Sequence, residues 1–479
     1  MQQHKQLATV FNFFIFIFLL IGIILGKLIP SYILFSFLFI LFSFLAYFFA
    51  KNNTFLSDLV ISFFIICLGA LLFLSSHPAK PNTFLYKDNN TLIKVISLPQ
   101  EKNNKNMFFA EVLQIGAYQQ KFRVKVMDYT KKMKYLNKYK FTAKLTKRTY
   151  KDRDFYYLWV KKKTQIKKVS LSLWERGVKA VNIYCLEVFS NNCSKSAKNF
   201  LAAIFLGRKE LLGKEKEFIQ NAGLAHLLAI SGLHIGLISL ILFYFLRFFQ
   251  ISFRAILFIL SIFLIFYVAA TGFRPSTQRA VLMYLVFALG FFMKRKVEVL
   301  NSLGLAGIIL LLFAPTIVYD IGFQLSFLAV FGIVLAFKIF PYKQQNNFLI
   351  NYLKQIFLCS LFVTMFTLPV VSFYFGKIYL LSIFFNLILI PVFTFILLLN
   401  LLLLMVSPLT FLAQSLGAVL SWLIYIFQKL AQIFGSLPHA YFSYSFSPLG
   451  IFIYYFFLST AIVLFLKRKS LMKGGFLSN

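Results

Sequence analysis

Long apolar runs fill both ends of the chain and a single polar block separates them. Apolar stretches of about 17 to 25 residues are long enough to cross the hydrocarbon core as helices. Three stand at the start, Phe11 to Ile29, Ile33 to Ala50 and Phe55 to Leu74. Nine follow beyond Gly223: Ala225 to Leu246, Ala255 to Thr271, Ser276 to Met293, Leu300 to Phe313, Ile321 to Phe337, Leu353 to Phe375, Leu380 to Val406, Leu409 to Phe434 and Leu449 to Leu466. No small-residue cleavage site follows the first run, and two more runs come directly after it, so it reads as a retained helix rather than a leader. In between, His77 to Ser172 is Lys-rich with short alternating runs at Leu92 to Leu98, Met107 to Ile115, Lys121 to Met127 and Lys140 to Leu145. Alternation with period two predicts half-buried strands, and about five of them suit a sandwich or a barrel of the OB type. From Leu173 to Gln220, Trp174, Val178, Val181, Leu186 and Phe189 return to helical spacing, which predicts amphipathic helices along the membrane surface. The expected architecture is a polytopic α-helical membrane protein of about 12 transmembrane helices with an inserted small all-β, OB-like extracytoplasmic domain. Its expected parts are a three-helix membrane segment (1–76), the β domain (77–172), interfacial helices (173–222), a transmembrane domain (223–470) and a tail (471–479).

Composition sharpens this picture. The 479 residues are 60% apolar and only 13% charged, which excludes a water-soluble globular protein. Fifty basic residues against 14 acidic ones give a net charge of +36 and point to a polyanionic partner, membrane lipid headgroups or nucleic acid, although codon bias in an AT-rich genome also enriches lysine. Pro78 to Ser172 holds 23 Lys and Arg against six acids. Lys121, Arg123 and Lys125 interleave there with Phe108, Phe109, Tyr118, Phe122 and Tyr139, a mixture suited to phosphate attraction with base stacking, or simply to a solvated lysine-rich surface. The basic short loops, with Lys51, Arg247 to Arg254, Lys294 to Lys296, Lys338, Lys343 and Lys467 to Lys469, fall on one side of the twelve-span topology. The positive-inside rule makes that side the cytoplasm, with both termini there and the β domain opposite.

The candidate chemistry lies in the apolar half. Gly223 to Gly236 places His226, Ser231 and His234 in otherwise featureless hydrocarbon. Read as one helix, it puts the two histidines about 80° apart, facing a polar cavity or bonding neighbouring helices. Arg274, Pro275 and Ser276 open the next segment, and Arg279 falls in the first turns of its helix, where a cation opposes the helix dipole. Either Arg279 pairs with Asp320, or it offers its fork to a phosphate. Gln324, Ser326, Asn386 and Asn400 continue the polar series, facing protein or a watery passage. Cys185 and Cys193 are disulfide candidates or unrelated thiols. The cysteine spacing and the scattered histidines suggest no metal and no cofactor. Gly207 to Glu215 lacks phosphate-loop spacing, and no nucleophile elbow or metalloprotease helix is present, so an enzyme is not expected.

His226-Leu-Leu-Ala-Ile-Ser-Gly-Leu-His234, Pro275-Ser-Thr-Gln-Arg-Ala280, Asp320-Ile-Gly-Phe-Gln-Leu-Ser-Phe327 and Leu368-Pro-Val-Val-Ser-Phe-Tyr-Phe-Gly376, followed by Asn386 and Pro391, resemble in sequence and order the competence domain of the ComEC family. The three leading helices and the β domain, closed by Asp154-Phe-Tyr-Tyr-Leu-Trp159, resemble that family's N-terminal module. The resemblance implies a bacterial inner-membrane channel passing single-stranded DNA into the cytoplasm during natural transformation. It also implies an extracytoplasmic DNA receptor of ComEA type and a cytoplasmic motor or strand-binding protein as partners. Longer members carry a metallo-β-lactamase-like domain that is not expected here, so strand degradation would need a separate nuclease. The competing expectations are a multi-pass transporter of a small anionic solute and a non-transporting membrane scaffold that binds nucleic acid.

Overall fold

The computed structural model describes residues 11–28, 54–75, 85, 88–102, 105–115, 122–150, 153–294, 298–341 and 348–474. The expected span Ile33 to Ala50 lies outside them. The first helices are α1 (Phe11–Leu28) and α2 (Thr54–Ser75), which pack along each other. Seven strands follow: β1 (Asp88–Val95), β2 (Gln100–Lys102), β3 (Lys105–Ile115), β4 (Phe122–Asp128), β5 (Lys138–Tyr150), β6 (Arg153–Val160) and β7 (Lys167–Val169). Five of them close a small barrel in the order β1-β3-β4-β6-β5, with β5 returning to β1 and β4 running parallel to β6. Closure is possible because β5 is long: Lys138–Lys144 pairs with β1 and Lys144–Tyr150 with β6. Every second residue fills the interior, including Ile93, Val95, Phe108, Ala110, Val112, Val124, Val126, Phe141, Leu145 and Leu158. The alternation seen in the sequence is therefore the barrel's inside and outside.

The helical part begins with α3 (Leu173–Asn192), α4 (Lys195–Phe205) and α5 (Glu215–Asn221). It continues through α6 (Gly232–Phe248), α7 (Phe253–Ala270), α8 (Pro275–Phe292), α9 (Val299–Phe313), α10 (Ile321–Ile339) and α11 (Phe348–Phe375). The pair β8 (Lys377–Ile378) and β9 (Phe442–Ser443) links the loops that follow α11 and α13, with α12 (Ser382–Val406) and α13 (Thr410–Ser436) between them and α14 (Pro448–Gly474) last. Among the described residues six helices are long and apolar enough to cross a membrane: Phe253–Ala270, Ile321–Ile339, Ile350–Phe375, Ser382–Val406, Thr410–Ser436 and Pro448–Phe465. The chain is a multi-pass membrane protein. Twelve full spans are not seen among the described residues; Phe14–Leu28, Ile61–Leu74, Gly232–Phe248, Ser276–Phe292 and Val299–Phe313 are shorter apolar helices. Local chemistry shortens three of these. Pro275 starts α8, Ala314 and Pro315 end α9 in a 3-10 turn, and α6 begins only at Gly232.

The cysteine expectation is corrected. Cys185 lies within α3, Cys193 is its C-cap, and both thiols are free. Eight residues of helix separate their Cα atoms by about 12 Å, whereas a disulfide needs about 4.4–6.8 Å. Burial pushes the Cys185 thiol up to about 12 and the Cys193 thiol up to about 11, which keeps both protonated and unreactive.

Polar bonds seat the barrel on α3. Glu175 takes Lys94 at 3.0 Å and Lys138 at 2.9 Å, one on each carboxylate oxygen, and it also completes the capping box of α3 with Ser172. Lys179 donates to Asn137 Oδ1 at 2.8 Å, and the Tyr135 hydroxyl donates to Asn182 Oδ1 at 3.1 Å. Burial alone would raise the Glu175 carboxyl, but Lys138, Lys94 and the Ser172 N–H outweigh it and hold the group down at about 2, against an ordinary 4.5. A carboxyl with a depressed folded pKa stabilises the fold above its unfolded value and loses that contribution as pH falls through the folded one. Acid is therefore expected to loosen the barrel from α3 between about pH 4.5 and 2, read as faster hydrogen exchange over Ser172–Asn182. Glu175→Gln should loosen the same contact at neutral pH and abolish the acid step.

Candidate functional site

After α5 the chain turns sharply at Gly223, which has φ +77°. A Cβ there would come within 2.7 Å of Ser382 Cβ and 2.8 Å of Tyr379 Cβ, so only glycine lets the turn sit against the start of α12. From Leu224 to Ser231 the backbone runs in turns, with Leu224, Leu227, Leu228 and Ile230 buried. Those four side chains join the main apolar core and anchor the turns there. The expectation of one helix from Ala225 to Leu246 is thereby corrected. His226 is an exposed turn residue, and His234 is not its partner on a shared helix.

The late start of α6 has a local cause. The Ser231 backbone N–H donates to His234 Nδ1 at 3.2 Å, and the Ser231 hydroxyl lies 3.0 Å from the same nitrogen. His234 thus takes the part that Glu or Gln plays in an ordinary capping box. With Nδ1 accepting, the neutral ring carries its proton on Nε2, which is buried without a protein partner; the imidazole and Phe393 rings are T-shaped with centroids 5.1 Å apart.

Because Ile230 lies outside the helix, its carbonyl is free to accept the Ser276 hydroxyl, at 2.7 Å, and this ties the break to the first turn of α8. One turn further on, Arg279 is only 3% exposed. Its Nη2 lies 3.5 Å from the position of a Cβ on Gly232, and Nη1 donates to the Ser326 carbonyl of α10 at 2.6 Å. Its Nε has no protein partner, and the guanidinium centre is 5.9 Å from the Phe327 ring. The Arg279–Asp320 pair is corrected as well. Asp320 is exposed and caps α10, its Oδ1 accepting the Phe323 N–H at 3.0 Å. Lys94–Glu175, Lys138–Glu175 and Lys131–Glu101 are ion pairs on the barrel side.

Ser231, His234, Ser276, Arg279 and Ser326 therefore meet where α6, α8 and α10 begin. Gln324 stands apart, donating to the Val318 carbonyl at 2.9 Å. Asn386 donates to Ser360 Oγ at 3.2 Å, leaving Oδ1 buried and unpaired. Asn386, Phe393 and Asn400 repeat every seven residues along the α12 stripe that meets His234, and neither amide atom of Asn400 has a partner.

Arg274 belongs to a second cluster. It packs on Gly207, which has φ +73°, and donates to the Gly207 carbonyl; a Cβ at 207 would lie 2.8 Å from Arg274 Nε. Beside it, Arg208 was not singled out from the sequence. Its Nη1 donates to the barrel carbonyl of Ile96 at 2.8 Å, its Nη2 donates to Asn182 Oδ1 at 3.0 Å, and its guanidinium centre lies 4.4 Å from the Tyr135 ring centre. Burial lowers Lys209 to about 8, helped by the nearby charges of Arg274 and Lys216. The only sequence signal for this cluster was the Gly207-Arg-Lys run, which fails as a nucleotide loop.

In the barrel, Phe108 (2% exposed) and Tyr139 (5%) point into the core, so both are corrected as stacking surfaces. Tyr139 uses its hydroxyl on the Lys134 N–H and the Asn137 amide. Lys125 is half-buried on the outer face. Lys121 lies outside the described residues, as do the side chains of Phe122 and Arg123. Among the described residues no three His, Cys, Asp or Glu side chains converge as a metal set would.

A family model described as Competence protein matches residues 204–469, more than half of the chain. The chain belongs to the ComEC family of competence proteins. The match contains every residue of the Arg279 cluster and the Gly207–Lys209 turn, and it leaves the barrel outside. ComE operon protein 3 of Bacillus subtilis (strain 168) is 36% identical over 158 residues, 33% of this chain and 20% of that protein. An uncharacterized protein of Aquifex aeolicus (strain VF5) is 29% identical over 180 residues, 36% of this chain and 42% of that protein. The chain thus spans about a fifth and about two fifths of these curated relatives. No solved structure matches it.

Within this ComEC-family site, Ser231→Ala removes the hydroxyl that starts α6. It is expected to lower stability by about 0.5–2 kcal/mol, the usual cost of losing a cap, measured as a fall in melting temperature in detergent. Ser231→Thr, which keeps the hydroxyl, should restore most of it.

Proposed function

We propose that this chain is a conduit that passes single-stranded DNA across the bacterial inner membrane during natural transformation. The observation that carries the reading is Arg279, a buried cation met by a carbonyl rather than a carboxylate, set against a helix break in a competence-family domain. An unneutralised guanidinium among membrane helices suits a substrate that brings its own negative charge. The unpaired groups at His234, Asn386 and Asn400 support a route that fills with water or substrate, since such groups are costly when left dry. In this conformation His234, Arg279 and Asn400 are buried, so passage requires the helices that carry them to part.

The contacts support one orientation. Ser276–Ile230, Arg279–Ser326 and Gly223–Ser382 gather the starts of α6, α8, α10 and α12 at one end, and Arg208 joins the barrel to that end. Arg247, Arg254, Lys294 and Lys338 lie at the other. By the positive-inside rule the basic end is cytoplasmic and the barrel, of OB type, is outside. Ile33 to Ala50 and the shorter helices complete about 12 spans in this reading. A polyanion entering a negative interior works against about 2.3 kcal/mol per charge per 100 mV. The chain is read as a non-enzymatic conduit, so a cytoplasmic motor or strand-binding protein pulls or traps the strand. An external receptor delivers the DNA, and strand degradation, if it occurs, falls to a separate nuclease.

In a deletion strain, DNA is expected to reach the cell and cross any outer barrier while no labelled strand enters the cytoplasm; normal entry defeats the assignment. Restoring the gene with Arg279→Ala should cut entry at least about tenfold, the loss expected when a charge-assisted phosphate contact of about 1.4 kcal/mol or more is removed, at normal protein abundance. Loss of the protein from the membrane instead would make Arg279 a strut. Normal DNA entry with impaired uptake of a small anion would favour the transporter reading.

A further inference from the structure

Helices α12 and α13 are long and apolar enough to cross a membrane, yet both ends of α12 are held in the layer that carries the barrel. Its first residue, Ser382, lies against the Gly223 turn, and that turn leads into the break tied to the first turn of α8 by Ser276. Its last turn meets α3, where the Tyr184 hydroxyl donates to the Leu404 carbonyl at 3.5 Å and bonds Ser407. Two residues before Tyr184, Asn182 joins Arg208, the barrel's Tyr135 and the Ala270 carbonyl at the end of α7. A helix of 25 residues is about 37 Å long. Upright in a hydrocarbon core of about 30 Å, α12 would set its two ends on opposite faces, whereas both are bonded to the barrel end of the bundle.

α13 lies along α12 on one flank and along α3, α4 and α5 on another. The Asn192 and Phe218 carbonyls occupy the room that a side chain would need at Gly417 and Gly435. Between these points the Ser194 N–H donates to Ser421 Oγ at 3.0 Å, and the Ser196 hydroxyl donates to Gln428 at 2.9 Å. Ser421 is close to the middle of the 27 residues of α13, so that middle is level with the turn between α3 and α4. Asn191, Ser194, Lys195 and Ser196 of the turn are exposed. An upright α13 would carry Lys195 toward the centre of the hydrocarbon, where a charge is expensive; a flat one leaves it in water. The Ser407-Pro-Leu409 loop, which an upright pair would put in the cytoplasm, has no Lys or Arg, unlike the basic turns at Arg247–Arg254 and Lys294–Lys296.

The side of α13 turned away from these helices presents Trp422, Tyr425, Lys429 and Ile433 in one exposed stripe, with Lys429 Nζ 5.8 Å from the centre of the Tyr425 ring. Tryptophan, tyrosine and a lysine with a long apolar stem settle at the depth where acyl chains meet headgroups. We propose that the α12–α13 hairpin lies along the outer leaflet of the membrane instead of crossing it, with the Trp422–Tyr425–Lys429 stripe set into the lipid interface. That this leaflet is the outer one rests on the conduit reading; the flat placement on the barrel side does not. The count of about 12 spans falls to about ten, and because two spans go together both termini stay on one side. α12 then lies across the start of α6, with Phe393 on His234, and covers the end of the bundle that holds Arg279.

The test uses the full chain with its four native cysteines replaced by serine, in cells stripped of any outer barrier, and a membrane-impermeant maleimide. Single cysteines are placed at three exposed positions: Lys162→Cys in the turn after β6, Lys294→Cys after α8 and Thr410→Cys at the start of α13. Thr410→Cys is expected to react from the side that labels Lys162→Cys. Labelling from the side of Lys294→Cys, or from neither side, overturns the proposal. Depth is read separately on the purified protein carrying Trp159→Phe and Trp174→Phe, which leaves Trp422 as the fluorophore, in bilayers of brominated phosphatidylcholine. Bromines high on the acyl chain should quench it more than bromines near the chain end; an upright α13 holds Trp422 near the midplane and reverses that order, which would also defeat the proposal. If Lys162→Cys and Thr410→Cys both react only from the cytoplasm, the orientation of the conduit reading fails and the flat hairpin stands. Normal strand entry in the deletion strain likewise removes the conduit and leaves the hairpin.

Discussion

A guanidinium buried among membrane helices must find polar company, and much of the site is arranged to give Arg279 a little of it. The cation lies against Gly232, where the chain offers backbone instead of a side chain, and it reaches one carbonyl of α10. Both conditions depend on α6 starting late. If Leu224–Ser231 continued the helix, the Ile230 carbonyl would already accept the helix's own N–H and would have only its second lone pair for Ser276. The Ser231–His234 contact that stops the helix is thus what positions the first turn of α8 and its arginine. Aspartate would neutralise the charge, but Asp320 is occupied capping α10. The result is a positive site that the protein leaves incompletely matched.

The same end of the bundle gathers the starts of four helices, and each adds the positive end of its dipole to the arginines already there. The barrel is fixed to that end by polar contacts rather than by a shared apolar core. Glu175 binds two of its lysines, and Arg208 joins a barrel carbonyl, a barrel tyrosine and Asn182 of α3. Asn182 also reaches the Ala270 carbonyl at the end of α7, so the seat of the barrel and the α7–α8 turn belong to one network. Charge is therefore concentrated along a line from the barrel through Lys209 and Arg274 to Arg279.

Much of this was legible in the sequence, because long apolar runs and period-two alternation are strong signals. The failures are equally physical. The break before α6 hides in an apolar pattern; Gly232 stands at its edge, and the more telling signal is a serine followed three residues later by histidine, an unusual capping partner. Phe108 and Phe109 are neighbours with opposite fates, since a shift of one residue exchanges the inside and outside of a strand. Tyr139 looked like a stacking ring, yet its hydroxyl holds the turn before β5. The Arg279–Asp320 pairing took the available acid to be free, although an aspartate just before a helix has a competing use. Cys185 and Cys193 suggested a closed loop although the residues between them were expected to be helical, and eight residues of one helix hold the two thiols too far apart. Arg208 was passed over because its motif was weighed against nucleotide binding alone.

The two groups of positive charge differ in how they meet dissolved ions. Lysines on the barrel face stand in water, where mobile counterions screen charges beyond about 8 Å at physiological ionic strength. Arg279 is 3% exposed and lies out of reach of that atmosphere. Brackish surroundings would therefore dull the pull of the barrel's lysines on any anion and leave that of Arg279 nearly unchanged.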